Sequence, residues 1–382
     1  MSMKKVIILE FAPTADEIWN LDHNDIDGYA NYDVEKGLVS ILDTAHDAKP
    51  RPEILAVYAG GKATNVARVI DRLLDEKSNV KIELVTFLPP PQGIFCKLQP
   101  VKLNDVEIMP STPSGMYVQA LQILDLVNVR PRFEIIDELQ GPTAIQATRR
   151  CIEMIIKGTG TSLNFSPRII WTPKTVHAVL QKLEKLVSNV DMVVLAGAPP
   201  IWKPVDNESI TPHDFYAEIL NLLPPQCDVS VDVRGYYLHK CLFSKKLPTF
   251  IFMNKNEFLE ASESWKKLNK GNFFGTIIVH NKDGCWVWDK DIPNTDDLFN
   301  GSIFYPSPKV EKVYSTIGAG DAMHAGFLKE WVSSENTEDR LSRSVIYSQS
   351  VSAVSVSNER ATHGIDAVAV DQIFNKIYNK NY

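Results

Sequence analysis

The sequence has few cysteines and no pattern among them. Its five thiols, Cys96, Cys151, Cys227, Cys241 and Cys285, are odd in number, widely spaced and form no Cys-x-x-Cys pair, which argues against a disulfide framework and against structural zinc. Long apolar runs are lacking too. The N-terminal run Val6-Ile7-Ile8-Leu9 follows two lysines and stops at Glu10, too short for a membrane span or the core of an export signal. It reads as a first buried strand, and the cytoplasm is the expected compartment. Nor is there an excess of positive charge. With 40 Lys plus Arg against 47 Asp plus Glu the formal charge is -7, which gives no general attraction to nucleic acid or to an anionic membrane. An anionic ligand must therefore be held by a local site. Internal repeats and low-complexity tracts are absent, and 382 residues of ordinary apolar and charged content suffice to bury a substantial core.

What is present is an alternation of short β-branched runs with helical patterns. The runs are Lys4 to Leu9, Ile82 to Leu88, Met192 to Leu195, Val229 to Val233, Phe250 to Met253 and Thr276 to Val279. Between them, Val66, Val69, Ile70, Leu73 and Leu74 keep an i, i+3, i+4 stripe, as do Val179, Leu180, Leu183 and Leu186,. This predicts an α/β fold with a mostly parallel sheet covered by helices on both faces. Two segments break the rhythm, one acidic near 11–58 and one near 132–167. In the second, Thr148 to Ile156 and Thr161 to Phe165 flank Lys157-Gly158-Thr159-Gly160, a hairpin signal,. A small accessory β lid is expected from them. Pro89-Pro90-Pro91-Gln92-Gly93 and the residues up to Pro113 predict an inserted surface loop near 89–113,.

The strongest chemical signal is the string from Ser315 to Phe327, which contains Gly318-Ala319-Gly320-Asp321 and runs into a small-residue helix. Such a turn puts unpaired main-chain N–H groups in a cup at a helix N-terminus, where the helix dipole favours an anion by about 0.3–1 kcal/mol. Asp321 falls in the first turn. Phosphoryl transfer needs a carboxylate near an attacking hydroxyl and donors aimed at developing charge, and this string supplies both. Taken alone, Gly-x-Gly-Asp also fits a plain N-cap after a tight turn.

A second glycine string, Ala59-Gly60-Gly61-Lys62-Ala63-Thr64-Asn65, also precedes a helix. It is not a Walker A loop, since Ala56 and Ala63 stand where that motif needs Gly and Ser or Thr,. Gly60 and Gly61 would let a ligand touch the backbone, with Lys62 and Asn65 as polar contacts; a helix cap with a solvated lysine fits equally well. Together the two strings resemble the paired signatures of the ribokinase-like (PfkB) carbohydrate kinase family, closest to its 1-phosphofructokinase and tagatose-6-phosphate kinase branch. Further similarities follow in order. Ala12-Pro13-Thr14-Ala15-Asp16 resembles that branch's Asn-Pro-Ala-x-Asp with Ala12 for Asn, and Thr148-Arg149 its lid motif. Leu195 to Pro200 resembles its Ser-Gly-Ser-Leu-Pro loop without the serines, and Asn254-Lys255-Asn256-Glu257 the family's Asn-x-x-Glu.

The resemblance runs from about Lys4 to Ile373 and implies one ribokinase-like domain over 1–382, a three-layer α/β fold with a β lid whose edge or apolar face a second subunit often covers, which leaves room for a homodimer through the lid without fixing the oligomeric state. It further implies ATP and Mg²⁺, with Asp321 as general base and Gly318, Ala319 and Gly320 as the anion hole. Asn254 and Glu257 would hold hydrated Mg²⁺, and Asn254 with Asn281 and Gly284, on the strand and turn from Ile277 to Val287, would lie on the nucleotide side. Asp16, Gly60, Gly61 and Asn65 would close on the sugar. Lys62 and Arg149 would meet a phosphate already on the substrate, although Arg150 is equally a guanidinium. Asn281 stands where the family carries Gly, and Pro89 to Pro91 replace a glycine-rich stretch; both bear on specificity. The resulting expectation is an ATP-dependent kinase of a sugar or sugar phosphate. An unphosphorylated sugar or nucleoside as acceptor, or a non-catalytic sensor on the same fold, are the alternatives. His324 is expected to be a packed helix histidine, and Trp286 and Trp288 to pack on the sheet.

Overall fold

The computed structural model of the chain describes residues 3–21, 30–33, 38–41, 53–75, 78–89, 101–103, 106–108, 113–124, 126–139, 148–156, 161–165, 169–203, 210–267, 273, 275–290, 293, 299–334, 337–358 and 361–381, with backbone alone for 15–21, 30–33, 38–41, 53–57, 101–103, 106–108, 113–116, 119, 123, 149–156, 161–165, 361, 380 and 381. The strands in chain order are β1 (Lys4–Glu10), β2 (Thr14–Leu21), β3 (Ala30–Asp33), β4 (Leu38–Ile41), β5 (Glu53–Gly60), β6 (Val80–Leu88), β7 (Val101–Leu103), β8 (Val106–Ile108), β9 (Val129–Ile135), β10 (Arg149–Ile156), β11 (Thr161–Phe165), β12 (Met192–Ala196), β13 (Asp228–Asp232), β14 (Phe250–Asn254), β15 (Thr276–Asn281), β16 (Gly284–Asp289) and β17 (Ile303–Pro306). The helices are α1 (Lys62–Leu73), α2 (Pro113–Leu124), α3 (Pro173–Leu186), α4 (Phe215–Leu222), α5 (Gly235–Leu242), α6 (Lys255–Glu260), α7 (Ser262–Lys267), α8 (Ala319–Ser333), α9 (Arg340–Val356) and α10 (Ala367–Asn381).

The main sheet has nine strands in the order β17-β16-β15-β14-β13-β12-β1-β6-β9. Pairing is parallel from β9 through to β15 and antiparallel for β16 and β17. Because side chains alternate across a strand, β1 feeds two cores. Ile7 and Leu9 pack with Val179 and Leu183 of α3 and Phe215 and Ile219 of α4. Val6 and Ile8 pack with Val66 and Val69 of α1, Phe327 of α8 and Val351 of α9. Covering both faces is what a continuous apolar strand demands. The layer helices form for local reasons as well; α3, for example, starts on Thr172, whose Oγ1 accepts the Thr175 N–H at 3.2 Å, with Pro173 at its first position,.

A second, four-stranded sheet runs β11-β10-β2-β5. In it β10 and β11 pair antiparallel, as the hairpin signal predicted, while the turn 157–160 lies outside the described residues. Two expectations need correcting. The proposed lid segment near 132–167 begins inside β9, which pairs in parallel with β6 as the edge of the main sheet. Only Val129 and Phe133 of β9 are buried, so this edge strand lacks the apolar run that marked its neighbours. The proposed irregular loop near 89–113 contains the antiparallel ribbon β7–β8; residues 90–100 lie outside the described residues. Among the described residues, no helix is long and apolar enough to cross a membrane. Cys227, Cys241 and Cys285 are free and buried. Trp288 is fully buried and stacked on Phe258, and Trp286 packs on Phe299 and Phe304.

Candidate active site

In a parallel sheet the chemistry gathers beyond the carboxyl ends of the strands, where the direction of winding switches. Here β6 lies on one side of β1 and β12 on the other. Glu10 ends β1, Gly197 follows β12, Asp232 ends β13 and Asn254 ends β14. All four line clefts at that edge.

Helix α8 starts there. Gly318 is its N-cap with φ +72°, and a Cβ at that position would stand 2.7 Å from Thr362 Cγ2, so both the backbone and the space require glycine. The Ala322 N–H makes the first helical bond to the Gly318 carbonyl at 2.8 Å, and the Ala319 N–H donates to the Thr316 carbonyl at 3.2 Å. The N–H groups of Gly318, Gly320 and Asp321 find no acceptor among the described residues. The cup foreseen from the sequence therefore has Gly318, Gly320 and Asp321 as donors, while the Ala319 amide is used by the turn.

Asp321, in the first turn, is buried, and Asn65 Nδ2 donates to its Oδ2 at 2.8 Å. Burial pushes its carboxyl pKa up to about 6; Asp232 adds to the rise, while Lys62, the Asn65 hydrogen bond and Arg68 oppose it,. Lys62 Nζ donates to Asp232 Oδ1 at 2.6 Å. Burial would lower the pKa of this ammonium, but Asp232 and Asp321 outweigh it and the net shift is upward. Asp232 is pushed up by burial and held down by Lys62 and His324, ending below its ordinary value. His324 is a packed histidine, as expected: fully buried, stacked on Phe252 at 4.3 Å, with Nε2 2.7 Å from Ser230 Oγ. Burial drives its pKa down to about 4.

The Gly-Gly string behaves differently from the string before α8. Gly61, the N-cap of α1, has φ +107°, and a Cβ there would meet Glu10 Oε2 at 2.4 Å. Glu10 is buried; its Oε2 accepts the Thr64 N–H at 2.9 Å and the Thr64 hydroxyl at 3.0 Å, and its Oε1 accepts the Ala12 N–H at 2.9 Å. The close approach permitted by Gly61 is thus taken by the protein's own carboxylate, which caps α1 from β1. Gly60 ends β5 and pairs with Thr14 of β2, which in turn pairs with Arg149 of β10. Asp16 stands two residues further along β2, opposite Tyr58 and Cys151. The register brings Asp16, Gly60 and Arg149 together on three neighbouring strands; the side chains of Asp16 and Arg149 lie outside the described residues.

On the other flank, Asn254 and Glu257 form a capping box at the start of α6: Asn254 Oδ1 accepts the Glu257 N–H at 2.9 Å, and Glu257 Oε2 accepts the Asn254 N–H at 3.0 Å,. Asn281 Oδ1 accepts the N–H groups of Asp283 and Gly284 at 2.9 and 3.1 Å. The positive φ of this turn falls on Gly284, not on Asn281, which is how the turn survives the family's missing glycine. Asn254, His280, Asn281, Gly284, Thr316 and Gly320 line a cleft of about 540 Å³. A neighbouring cleft of about 690 Å³ is lined by Glu10, Lys62, Gly197, Asp232, Arg234 and Glu257. His280, whose pKa burial lowers to about 4, packs beside Gly320.

Glu10, Asp232, His280 and Arg68 escaped the sequence reading. A signal did exist for Glu10, which directly follows the apolar run Val6 to Leu9 and so falls at the sheet's carboxyl edge, whereas Asp232 sits inside the run Val229 to Val233.

The family description "pfkB family carbohydrate kinase" matches residues 143–367, more than half of the chain and including the α8 string. No curated protein is similar enough in sequence to count as a match. Solved structures share the fold over nearly the whole length. Phosphofructokinase-2 from Escherichia coli in complex with fructose-6-phosphate is 14% identical, with 99% of this chain and 100% of that one covered at a TM-score of 0.65. A possible 1-phosphofructokinase from Thermotoga maritima is 14% identical, with 97% of both chains covered at 0.60. Ribokinase from Thermotoga maritima is 15% identical, with 98% and 99% covered at 0.58. With the α8 string inside the matched segment and the ribokinase-like layers around it, the chain belongs to the PfkB family of carbohydrate kinases and is a sugar kinase.

Proposed function

We propose that this sugar kinase uses ATP to phosphorylate a hydroxyl of a sugar or sugar phosphate, with Asp321 as general base and the main-chain amides of Gly318, Gly320 and Asp321 as the anion hole. The observation that carries the reading is the pairing of a buried carboxylate with uncommitted amides at one helix N-terminus. With a pKa pushed up to about 6, Asp321 is ionised at neutral pH yet basic enough to take an alcohol proton as the new O–P bond forms. The amides meet the charge that develops on the transferring phosphoryl oxygens. The cleft holding Asn254, Asn281 and Gly284 is assigned to the nucleotide.

Mg²⁺ keeps several waters and takes one or two carboxylates along with substrate phosphates. Among the described residues no cluster of three or more His, Cys, Asp or Glu is placed to hold a metal ion, so a closed protein cage does not fit. A water-carried ion does. Glu257 lines the Lys62 cleft with only Oε2 used by its capping box, and Glu257 with Asn254 would hold the hydrated ion, which neutralises phosphate charge when bound.

The lid register and the fructose-6-phosphate bound by the Escherichia coli relative favour a hexose phosphate, with Asp16 on the sugar hydroxyls and Arg149 on the phosphate. One observation favours a neutral acceptor instead: Lys62 is paired with Asp232, and Glu10 fills the N-terminus of α1. ADP release measured over sugars, sugar phosphates and nucleosides decides. Turnover of hexose phosphates supports the first reading, preference for neutral acceptors supports the second, and no ADP with any acceptor refutes both.

A further inference from the structure

Asn65 meets Asp321, and Arg68 meets Asn65. These three side chains form a chain of hydrogen bonds leading from a buried guanidinium to the carboxylate assigned as base. Arg68 Nη1 donates to Asn65 Oδ1 at 2.9 Å and lies 3.3 Å from Thr362 Oγ1, and Nη2 donates to the Ala59 carbonyl. Arg68 is 1% exposed although it is charged, and burying a charge is costly, so the bonds made by Nη1 and Nη2 matter to its place there. These acceptors come from the end of β5, from α1, and from the turn Ala361–Gly364, whose Thr362 methyl abuts Gly318. One side chain thus ties the Gly-Gly string to the anion cup.

The chemistry of the chain is directional. A guanidinium has donors only, so the Asn65 atom facing it must be the carbonyl oxygen, and the Asn65 NH₂ must then face Asp321. We propose that Arg68 is a positioning residue, which locks the Asn65 amide so that Nδ2 donates to Asp321 Oδ2 and Oδ1 is left to take the acceptor's proton. Without that lock the amide can turn its oxygen toward the carboxylate, which disfavours the ionised base. The inference rests on the assignment of Asp321 as base made above. Other charges facing Asp321 are Lys62, at the start of α1, and Asp232, at the end of β13; neither is removed by a change at Arg68.

The test is the acidic limb of kcat/KM against pH in wild type, Arg68→Met, Arg68→Lys, Asn65→Ala and the Arg68→Met/Asn65→Ala double variant. Arg68→Met should raise the apparent pKa of that limb by about one unit, so that activity at pH 6 falls more than at pH 8. Arg68→Lys, which keeps the charge without the fork and guards against misfolding of the first variant, should raise it about half as far. The double variant should shift by clearly less than the sum of the two single shifts, since Arg68 acts on Asp321 through Asn65 as well as by its own charge,. The thermal stability difference between the Asp321 and Asp321→Asn forms, followed from pH 4 to 8 with and without Arg68→Met, should show the same shift without reference to turnover. A limb and a stability difference that stay put in folded Arg68 variants overturn the proposal, as do shifts that simply add. If Asp321→Asn keeps turnover, the base assignment falls and this proposal with it. If that variant is inactive while the Arg68 profiles are unmoved, the positioning role alone fails.

Discussion

Helices α1 and α8 are both capped by a glycine, and their N-termini are used in opposite ways. At α8, Gly318 turns the chain with φ +72°, and the amides of Gly320 and Asp321 meet no acceptor among the described residues. At α1, Gly61 turns it with φ +107°, and the carboxylate of Glu10 is already seated on the Thr64 N–H. Both N-termini attract negative charge for the same reason. One has it built in from a neighbouring strand; the other is left open beside a buried aspartate. A glycine turn before a helix therefore predicts an anion site without saying whose anion fills it.

The contrast breaks most sharply at Asp321. Asp321→Asn should cost ~10²–10⁴ in kcat while the variant stays folded and binds ATP, read from ADP release beside nucleotide titration. Its stability should move the other way. Because the folded protein holds the Asp321 proton more tightly than the unfolded chain, the native state carries the extra proton between the ordinary pKa of 3.8 and about 6, and stability falls as pH rises through that window. Asparagine removes this cost, so Asp321→Asn should be the more stable form at pH 7.5 by roughly 3 kcal/mol and should converge with wild type near pH 4 in thermal melts.

At the closed terminus the expected effect is on stability. Glu10→Gln keeps one acceptor oxygen but sets an NH₂ against the Thr64 or Ala12 N–H, leaving a buried donor unmet at a cost of about 1–3 kcal/mol. Nucleotide affinity should be unchanged; weaker ATP binding with full stability would mean that the α1 terminus is a ligand site after all. Smaller still, Gly318→Ala forces a side chain into the left-handed region at about 1–2 kcal/mol and against Thr362. A lower melting temperature with a reduced kcat is expected, whereas normal kcat would separate the cup from catalysis.

The comparison also shows what was legible in the sequence. Val6 to Leu9 and the other apolar runs announce a buried parallel sheet because each strand is covered on both faces, and the helical stripe from Val66 to Leu74 announces α1. Strand β9 hides because an edge strand buries only part of its length, at Val129 and Phe133. In the site, Gly318 to Asp321 can be read locally, since glycine turn and carboxylate share one helical turn. The pairs Lys62 with Asp232, Gly61 with Glu10 and Arg68 with Thr362 join residues far apart in the chain, 170 positions in the first case. No spacing rule reports such contacts. Asn254 and Glu257 sit between these extremes: three residues apart, they satisfy each other's main chain as a capping box, while a metal role for the pair is implied only by the family resemblance.

The most direct test of the account is the pH dependence of kcat/KM in wild type and Asp321→Asn side by side. Activity of the wild type should fall below about pH 6 along a single titration, and the variant should be at least a hundredfold slower with that titration gone. A wild-type profile flat down to pH 4.5, or a variant that keeps the same acidic limb, would place the base elsewhere.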